Sequence, residues 1–180
     1  LVTGHTGFKG SWLTLWLHKL SADVTGLALA PNTKPNHFDL IGLNALIHNI
    51  EGDIRDAQTV QAAFAVVQPE IVFHLAAQPL VRDSYDDPKT TFDTNIGGTV
   101  NILEAIRNCP SVKSVIIVTS DKCYENKEWV WGYRENDPMG GHDPYSASKG
   151  CAELVFGAYL RSFFRQVSDT KYWCSEFRRT

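Results

Sequence analysis

Tyr145 and Lys149 stand four residues apart in Tyr145-Ser146-Ala147-Ser148-Lys149, a spacing that places both on one face of a helix. A free tyrosine ionises only near pH ~10. An ammonium one turn away, joined by the positive ring of a nicotinamide, stabilises the phenolate by opposite charge. Such a phenolate takes the proton from a hydroxyl while hydride leaves the same carbon. Alone the pair is weak, because tyrosine and lysine share many amphipathic helix faces. A second polar cluster, Thr119-Ser120-Asp121-Lys122-Cys123-Tyr124, follows directly on an apolar run. There Ser120 can hydrogen-bond the hydroxyl that Tyr145 serves, and Asp121 with Lys122 supplies an acid–base pair. Read without context, the same cluster is equally a capped loop with a surface ion pair.

A third group opens the chain. Gly4-His5-Thr6-Gly7-Phe8-Lys9-Gly10 follows the strand-like Leu1-Val2-Thr3 and precedes a helical pattern. Glycines at these places allow a tight turn, a close backbone approach to a pyrophosphate and close packing of helix on sheet. The helix N-terminus then offers free N–H groups and partial positive charge to the anion. Dinucleotide binding is the stronger reading over a plain glycine-rich turn. Choice of NAD over NADP usually rests on an acidic residue after the second strand. The stretch Leu29-Ala30-Pro31-Asn32-Thr33-Lys34 has none. Lys34 reads as a solvated loop residue ahead of a phosphate ligand, and the loop leaves the cofactor choice open.

These residues need elements to hold them. Strand-like runs at Leu1–Val2, Val24–Ala30, Leu46–Ile50, Ile71–Ala76 and Val115–Thr119 alternate with helical patterns at Ser11–Leu20, Ala57–Val67, Pro88–Arg107 and from Asp143-Pro144 to about Phe164. Trp12, Trp16 and Leu20 recur at i, i+4 in the first helix, and Val60, Phe64 and Val67 share a face of the second. The alternation predicts βαβ crossovers and a doubly wound parallel α/β sheet of Rossmann type. Ligands bind such sheets beyond the carboxyl ends of the strands, where all three groups fall.

Composition agrees. The 180 residues are 43% hydrophobic and 21% charged with a formal net charge of −3, which suits one domain and gives no reason to expect nucleic acid or an anionic membrane as partner. No apolar run approaches a membrane span, and residues 1–20 lack the apolar core of a signal peptide. Cys109, Cys123, Cys151 and Cys174 show neither metal-ligand nor disulfide-framework spacing. A soluble, cytoplasmic chain without a metal is expected. Because the first motif begins at once, the first strand is expected to start ahead of Leu1.

Five ordered motifs now stand together: Thr3-Gly4-x-x-Gly7-Phe8-x-Gly10, Gly52-Asp53-Ile54-Arg55-Asp56, His74-Leu75-Ala76-Ala77-Gln78, Thr94-Asn95-x-x-Gly98-Thr99 and Tyr145-x-x-x-Lys149. The chain resembles an extended short-chain dehydrogenase/reductase over residues 1–164. Gly4–Trp12, Ala76–Arg82, Thr119–Tyr124 and Glu128–Asn136, with its Trp129 and Trp131, more narrowly resemble the CDP-glucose 4,6-dehydratase subfamily.

The resemblance implies that Gly4, Gly7, Phe8, Lys9 and Gly10 hold the pyrophosphate of NAD. Asp53 and Ile54 would flank the adenine, and Leu75, Ala76, Ala77, Gln78 and Thr94 would line the cofactor cleft. It makes Tyr145 the base for oxidation at sugar C4, with Lys149 lowering its pKa and holding the ribose, and Ser120 in support. Asp121 becomes the acid for the leaving C6 hydroxyl. Lys122 stands where related dTDP-glucose enzymes have a glutamate for the C5 proton; it acts as base only with a lowered pKa, or serves electrostatically while another group takes the proton. Hydride returns to C6, so NAD is regenerated. The resemblance also implies a nucleotide-sugar substrate (CDP-glucose), deoxysugar synthesis for bacterial surface polysaccharide, and a homo-oligomer in the full-length family.

Residues 165–180 carry no part of this pattern and are expected to be a poorly ordered tail, with the substrate domain missing and turnover by this chain open. The alternatives are another extended family member, such as a nucleotide-sugar 4-epimerase, which needs no Asp121-Lys122 pair, and a non-catalytic dinucleotide-binding remnant.

Overall fold

Short strands alternating with helices form a parallel sheet. The computed structural model describes residues 1–164 and the backbone of the two-residue strand Trp173–Cys174; the rest of the expected tail lies outside the described residues. The strands are β1 (Val2–Thr3), β2 (Thr25–Ala28), β3 (His48–Glu51), β4 (Ile71–His74), β5 (Ser114–Ile117) and β6 (Trp173–Cys174). They lie in the order β3-β2-β1-β4-β5-β6, every pair parallel, with Val2 opposite both Gly26 and Phe73, and Ile71 opposite Ser114. The order reverses direction at β1, which makes the crevice past β1 and β4 the switch point of the doubly wound sheet.

The helices are α1 (Phe8–Lys19), α2 (His37–Leu40), α3 (Ala57–Val67), α4 (Val81–Asp86), α5 (Pro88–Phe92), α6 (Thr99–Arg107) and α7 (Pro144–Tyr159). A π-helical turn, Asp93–Gly98, joins α5 to α6 without leaving helical backbone, so the expected rod over Pro88–Arg107 forms with one widened turn. Another π turn, Leu160–Phe164, carries α7 to the end expected for it. Carboxylates start α3 and α7: Asp56 accepts from Gln58 N at 2.9 Å and Asp143 from Ser146 N at 2.9 Å, the latter ahead of Pro144 in the first helical position. Leu27, Val72, Ile102, Leu103, Ile106 and Phe64 are all at most 2% exposed and form the core between sheet and helices.

α1 departs from its sequence pattern. It begins three residues before the expected Ser11, and its buried face is Gly10, Ser11 and Thr14. Trp12, Trp16 and Leu20 point outward, 52%, 64% and 64% exposed, with Trp12 stacked on His37 at 4.3 Å. The reason is proximity: a Cβ on Gly10 would lie 2.0 Å from the Gly4 carbonyl oxygen. A helix that close to its own loop buries only small residues.

Candidate active site

The glycine loop is shaped by backbone crowding. Gly4 sits at φ +74°, where an L side chain is strained, and a Cβ there would meet Ala76 N at 2.7 Å. Gly4 N donates to Leu27 O at 2.9 Å and Gly7 N to Gly4 O at 3.1 Å, folding the loop against the ends of β2 and β4. Gly7 is the N-cap of α1, no side chain caps that helix, and its first turn holds no acidic residue. Gly7, Phe8 and Lys9 face solvent. Beside Thr6, past the end of β2, an open cleft of ≈ 220 Å³ is lined by Leu29, Phe38, Asn44 and Asn49 together with Asp39 and Glu51. Among the described residues no lysine or arginine lines it. An uncapped helix end beside a cleft edged with carboxylates fits a dinucleotide whose pyrophosphate lies on α1 and whose ribose hydroxyls meet oxygen acceptors.

Beneath the loop, His5 is fully buried, and its Nε2 donates to Asn49 Oδ1 at 2.7 Å. Asn49 in turn donates to Asn44 Oδ1 at 3.0 Å, which orients both amides at the cleft. Burial lowers the His5 pKa, and among the described residues its Nδ1 has no hydrogen-bond partner. At the end of β3, Arg55 binds the Asp53 carboxylate at 2.6 Å and holds it below the usual carboxylate range. The Ile54 side chain is 4% exposed within the core, filling the space left by Gly98.

The second wall is wired through buried polar groups. Thr3 Oγ1 accepts from Leu75 N and Ala76 N, each at 3.2 Å, and so donates its own proton to His74 Nδ1 at 2.7 Å. His74 Nε2–H then donates to Thr99 Oγ1 at 3.2 Å, whose proton goes to Asn95 O at 2.7 Å. Within the π turn, Asn95 accepts from Gln78 N at 2.8 Å and donates to Gln78 O at 3.1 Å and to Ser148 Oγ at 2.8 Å; Ser148 donates to Tyr145 O at 2.7 Å. One asparagine thus joins the loop after β4 to the helix bearing Tyr145 and Lys149. Ala77 and Thr94 lie half-buried along the same seam. Ser84 of α4 accepts from Tyr145 N at 3.2 Å.

Tyr145 and Lys149 are brought together as expected, 9% and 7% exposed, with the ammonium 5.9 Å from the centre of the tyrosine ring. Burial pushes Lys149 down to about 8, partly offset by Glu153. His74 is pushed down to about 3 by its burial and by the Lys149 charge, so it stays neutral. Ser120, Asp121 and Lys122 lie on a 3₁₀ turn, Asp121–Cys123, that packs against α7. Gly140 N donates to Cys123 O at 2.9 Å, tying the turn to the segment that leads into α7. Asp121 and Lys122 are exposed and form no ion pair with each other. Ser120 Oγ donates to Asp121 Oδ1 at 3.1 Å and accepts from Lys122 N at 3.2 Å. Between turn and helix, Trp129 stacks on Trp131 at 5.1 Å and Tyr124 on Tyr133 at 5.3 Å.

The GDP-mannose 4,6 dehydratase family model matches residues 1–178. The chain belongs to this family. Within the family's wider relatives, it is 58% identical over 167 residues to the CDP-glucose 4,6-dehydratase of Salmonella typhimurium (strain LT2), covering 93% of this chain and 46% of that protein. The UDP-glucose 4-epimerase of Thermus thermophilus, solved in complex with NAD, superposes with a TM-score of 0.77 at 29% identity, covering 91% of this chain and 51% of that one. A dTDP-glucose 4,6-dehydratase double mutant from Streptomyces venezuelae, with NAD and DAU bound, gives 0.78 at 26% identity, covering 91% and 52%. This dehydratase-family chain therefore spans about half the length of the curated relatives it matches. The family match runs through β6, in the stretch where the sequence pattern showed no resemblance. No helix among the described residues is long and apolar enough to cross a membrane.

Sequence reasoning quoted Thr3, His74, Asn95 and Ser148 inside motifs without giving them tasks, and it passed over Ser84 and Glu153. Their signal was slight: single polar residues on faces that are otherwise apolar.

Proposed function

We propose that this chain is the cofactor-binding and proton-transfer part of a lyase that converts CDP-glucose to CDP-4-keto-6-deoxyglucose and water, with NAD as its cofactor. The observation that carries it is the packing of the Ser120–Asp121–Lys122 turn against the helix that presents Tyr145 and Lys149. A buried tyrosine–lysine pair alone serves any oxidation at a secondary alcohol; a carboxylate and an ammonium beside it serve elimination.

NAD would lie with its pyrophosphate on Gly4, Gly7, Phe8, Lys9 and Gly10 and its adenosine side toward Asp53, Ile54 and the β2 cleft, and it supplies the exchange of hydride. Leu75, Ala76, Ala77, Gln78 and Thr94 would bound the remainder. Tyr145 Oη takes the proton of the C4 hydroxyl, and the Lys149 ammonium favours the resulting phenolate. Formation of the C4 ketone acidifies the C5 proton and leaves the C6 hydroxyl beta to a carbonyl. Asp121 gives its proton to that hydroxyl as water departs. Lys122 stands on the same turn to take the C5 proton or to stabilise the charge formed on its removal, and a proton goes back to C5 as C6 is reduced. Ser120 orients the C4 hydroxyl when the turn closes on substrate. The protein is expected to work in the cytoplasm as a homo-oligomer in its full-length form.

Purified chain incubated with NAD and CDP-glucose tests this through the absorbance of a 4-keto sugar in alkali. A 4-keto-6-deoxy product establishes the reading. A C4 epimer makes it an epimerase, and cofactor binding without either product leaves a non-catalytic dinucleotide-binding unit.

A further inference from the structure

One acidic side chain on α7 has no task in the chemistry above. Glu153 follows Lys149 by one helical turn, which puts the two on one face. Its Oε1 accepts the hydroxyl proton of Thr119, the residue immediately before Ser120. Lys149 is buried and makes no direct ion pair among the described residues. An ammonium so placed is costly unless an opposite charge stands close.

Few groups are positioned to meet that need. On β4, His74 is neutral and hydrogen-bonded to Thr3 and Thr99. On the 3₁₀ turn, Asp121 and Lys122 are exposed, as are Arg82 and Asp83 on α4. Glu104 of α6 is taken by Arg107 and by the Tyr159 hydroxyl at 2.7 Å, and Lys89 of α5 by Asp93. On α7 itself Tyr145 presents its ring, and Glu153 is the carboxylate whose field acts on Lys149.

We propose that Glu153 is a positioning residue with two separable tasks: its oxygen fixes the Ser120–Asp121–Lys122 turn to the helix bearing Tyr145, and its charge keeps Lys149 an ammonium. The proposal rests on the roles given above to Tyr145 and Lys149. The two tasks separate because Glu153→Gln keeps the acceptor and removes the charge, whereas Thr119→Val removes the donor and keeps the charge.

The test is an NMR titration of the [13Cε]lysine-labelled chain without cofactor or substrate, the Lys149 signal assigned by its loss in Lys149→Met. In E153Q, Lys149 is expected to lose its proton about one pH unit lower than in the wild type. In T119V it titrates as in the wild type, while amide exchange at Lys122 and Cys123 quickens several-fold, a change absent from E153Q. An unshifted Lys149 in E153Q, or unchanged exchange in T119V, overturns the proposal. Should E153Q not fold, Glu153→Asp replaces it: a smaller shift in the same direction is expected, and no shift overturns the charge role. Because the lysine is read without substrate, a wild-type chain that fails to turn over CDP-glucose counts against the dehydratase reading alone.

Discussion

The two walls of the site are held in different ways. Tyr145 and Lys149 are buried, and the Tyr145 backbone is bound to Ser84 and Ser148, the latter held by Asn95, whose partners reach through Thr99 and His74 to Thr3 in β1. Asp121 and Lys122 stand in solvent on a single 3₁₀ turn held by Ser120, Gly140 and the Thr119–Glu153 bond. The groups that must have an unusual environment are built into the fold, since burial is what lowers the Lys149 pKa. The groups proposed to meet a leaving hydroxyl stand in solvent instead. Damage to the first wall should therefore appear as lost stability, and damage to the second as lost chemistry.

Acid titration probes the buried wall hardest. His74 holds a folded pKa of about 3, lowered by burial and by Lys149, against about 6.5 when unfolded. Between those values the unfolded chain binds one proton more, so stability should rise with pH by up to about 1.4 kcal/mol per unit. Urea unfolding followed across that window should show the slope, and His74→Gln should flatten it.

Lys149 repeats the effect, with the same sign, at high pH over a narrower span. Its folded pKa of about 8 lies below the ordinary value of 10.5, so stability is expected to rise as pH climbs from 8 to 10.5. Lys149→Met should remove that rise. A variant that keeps it would show that another group titrates there.

Asn95→Ala should cost about 2–4 kcal/mol, because it strands Gln78 N and Ser148 inside the protein. Thermal unfolding gives the number. A loss under about 1 kcal/mol would mean that the two walls are not held so differently.

Lys122→Ala sets the other end of the scale. On an exposed turn it should change stability by less than about 0.5 kcal/mol. Calorimetry should find NAD affinity unaltered, while elimination of water from CDP-glucose is abolished. Weakened NAD binding would contradict the role assigned to this lysine.

Much of this was legible in residue order. The rod over Pro88–Arg107, the Asp143-Pro144 helix start and the parallel sheet follow from local patterns, and Tyr145 with Lys149 follows from helical spacing. Contacts between distant segments were not. That Asn95 meets Ser148 depends on how α7 crosses the π turn, and no local pattern encodes a crossing. The tryptophans of α1 signal a helix without naming its buried face: apolar periodicity marks a face, but Gly10 brings the opposite face onto the loop. The loop after β2 said nothing of cofactor charge because the carboxylates edging the cleft, Asp39 and Glu51, come from α2 and β3.

The widened turn at Asp93–Gly98 makes the length of that segment matter as well as its composition. Each residue of a helix advances the side chains by about 100°. Removing one residue there would restore a regular helix, yet it would turn Thr99 away from His74 or Asn95 away from Ser148, whichever end gave way. Point changes at Gly97, where an added Cβ meets nothing within 4 Å, should be absorbed. A one-codon deletion between Thr94 and Thr99 should not, so natural relatives that keep this hydrogen-bond path are expected to vary in letters there and never in number.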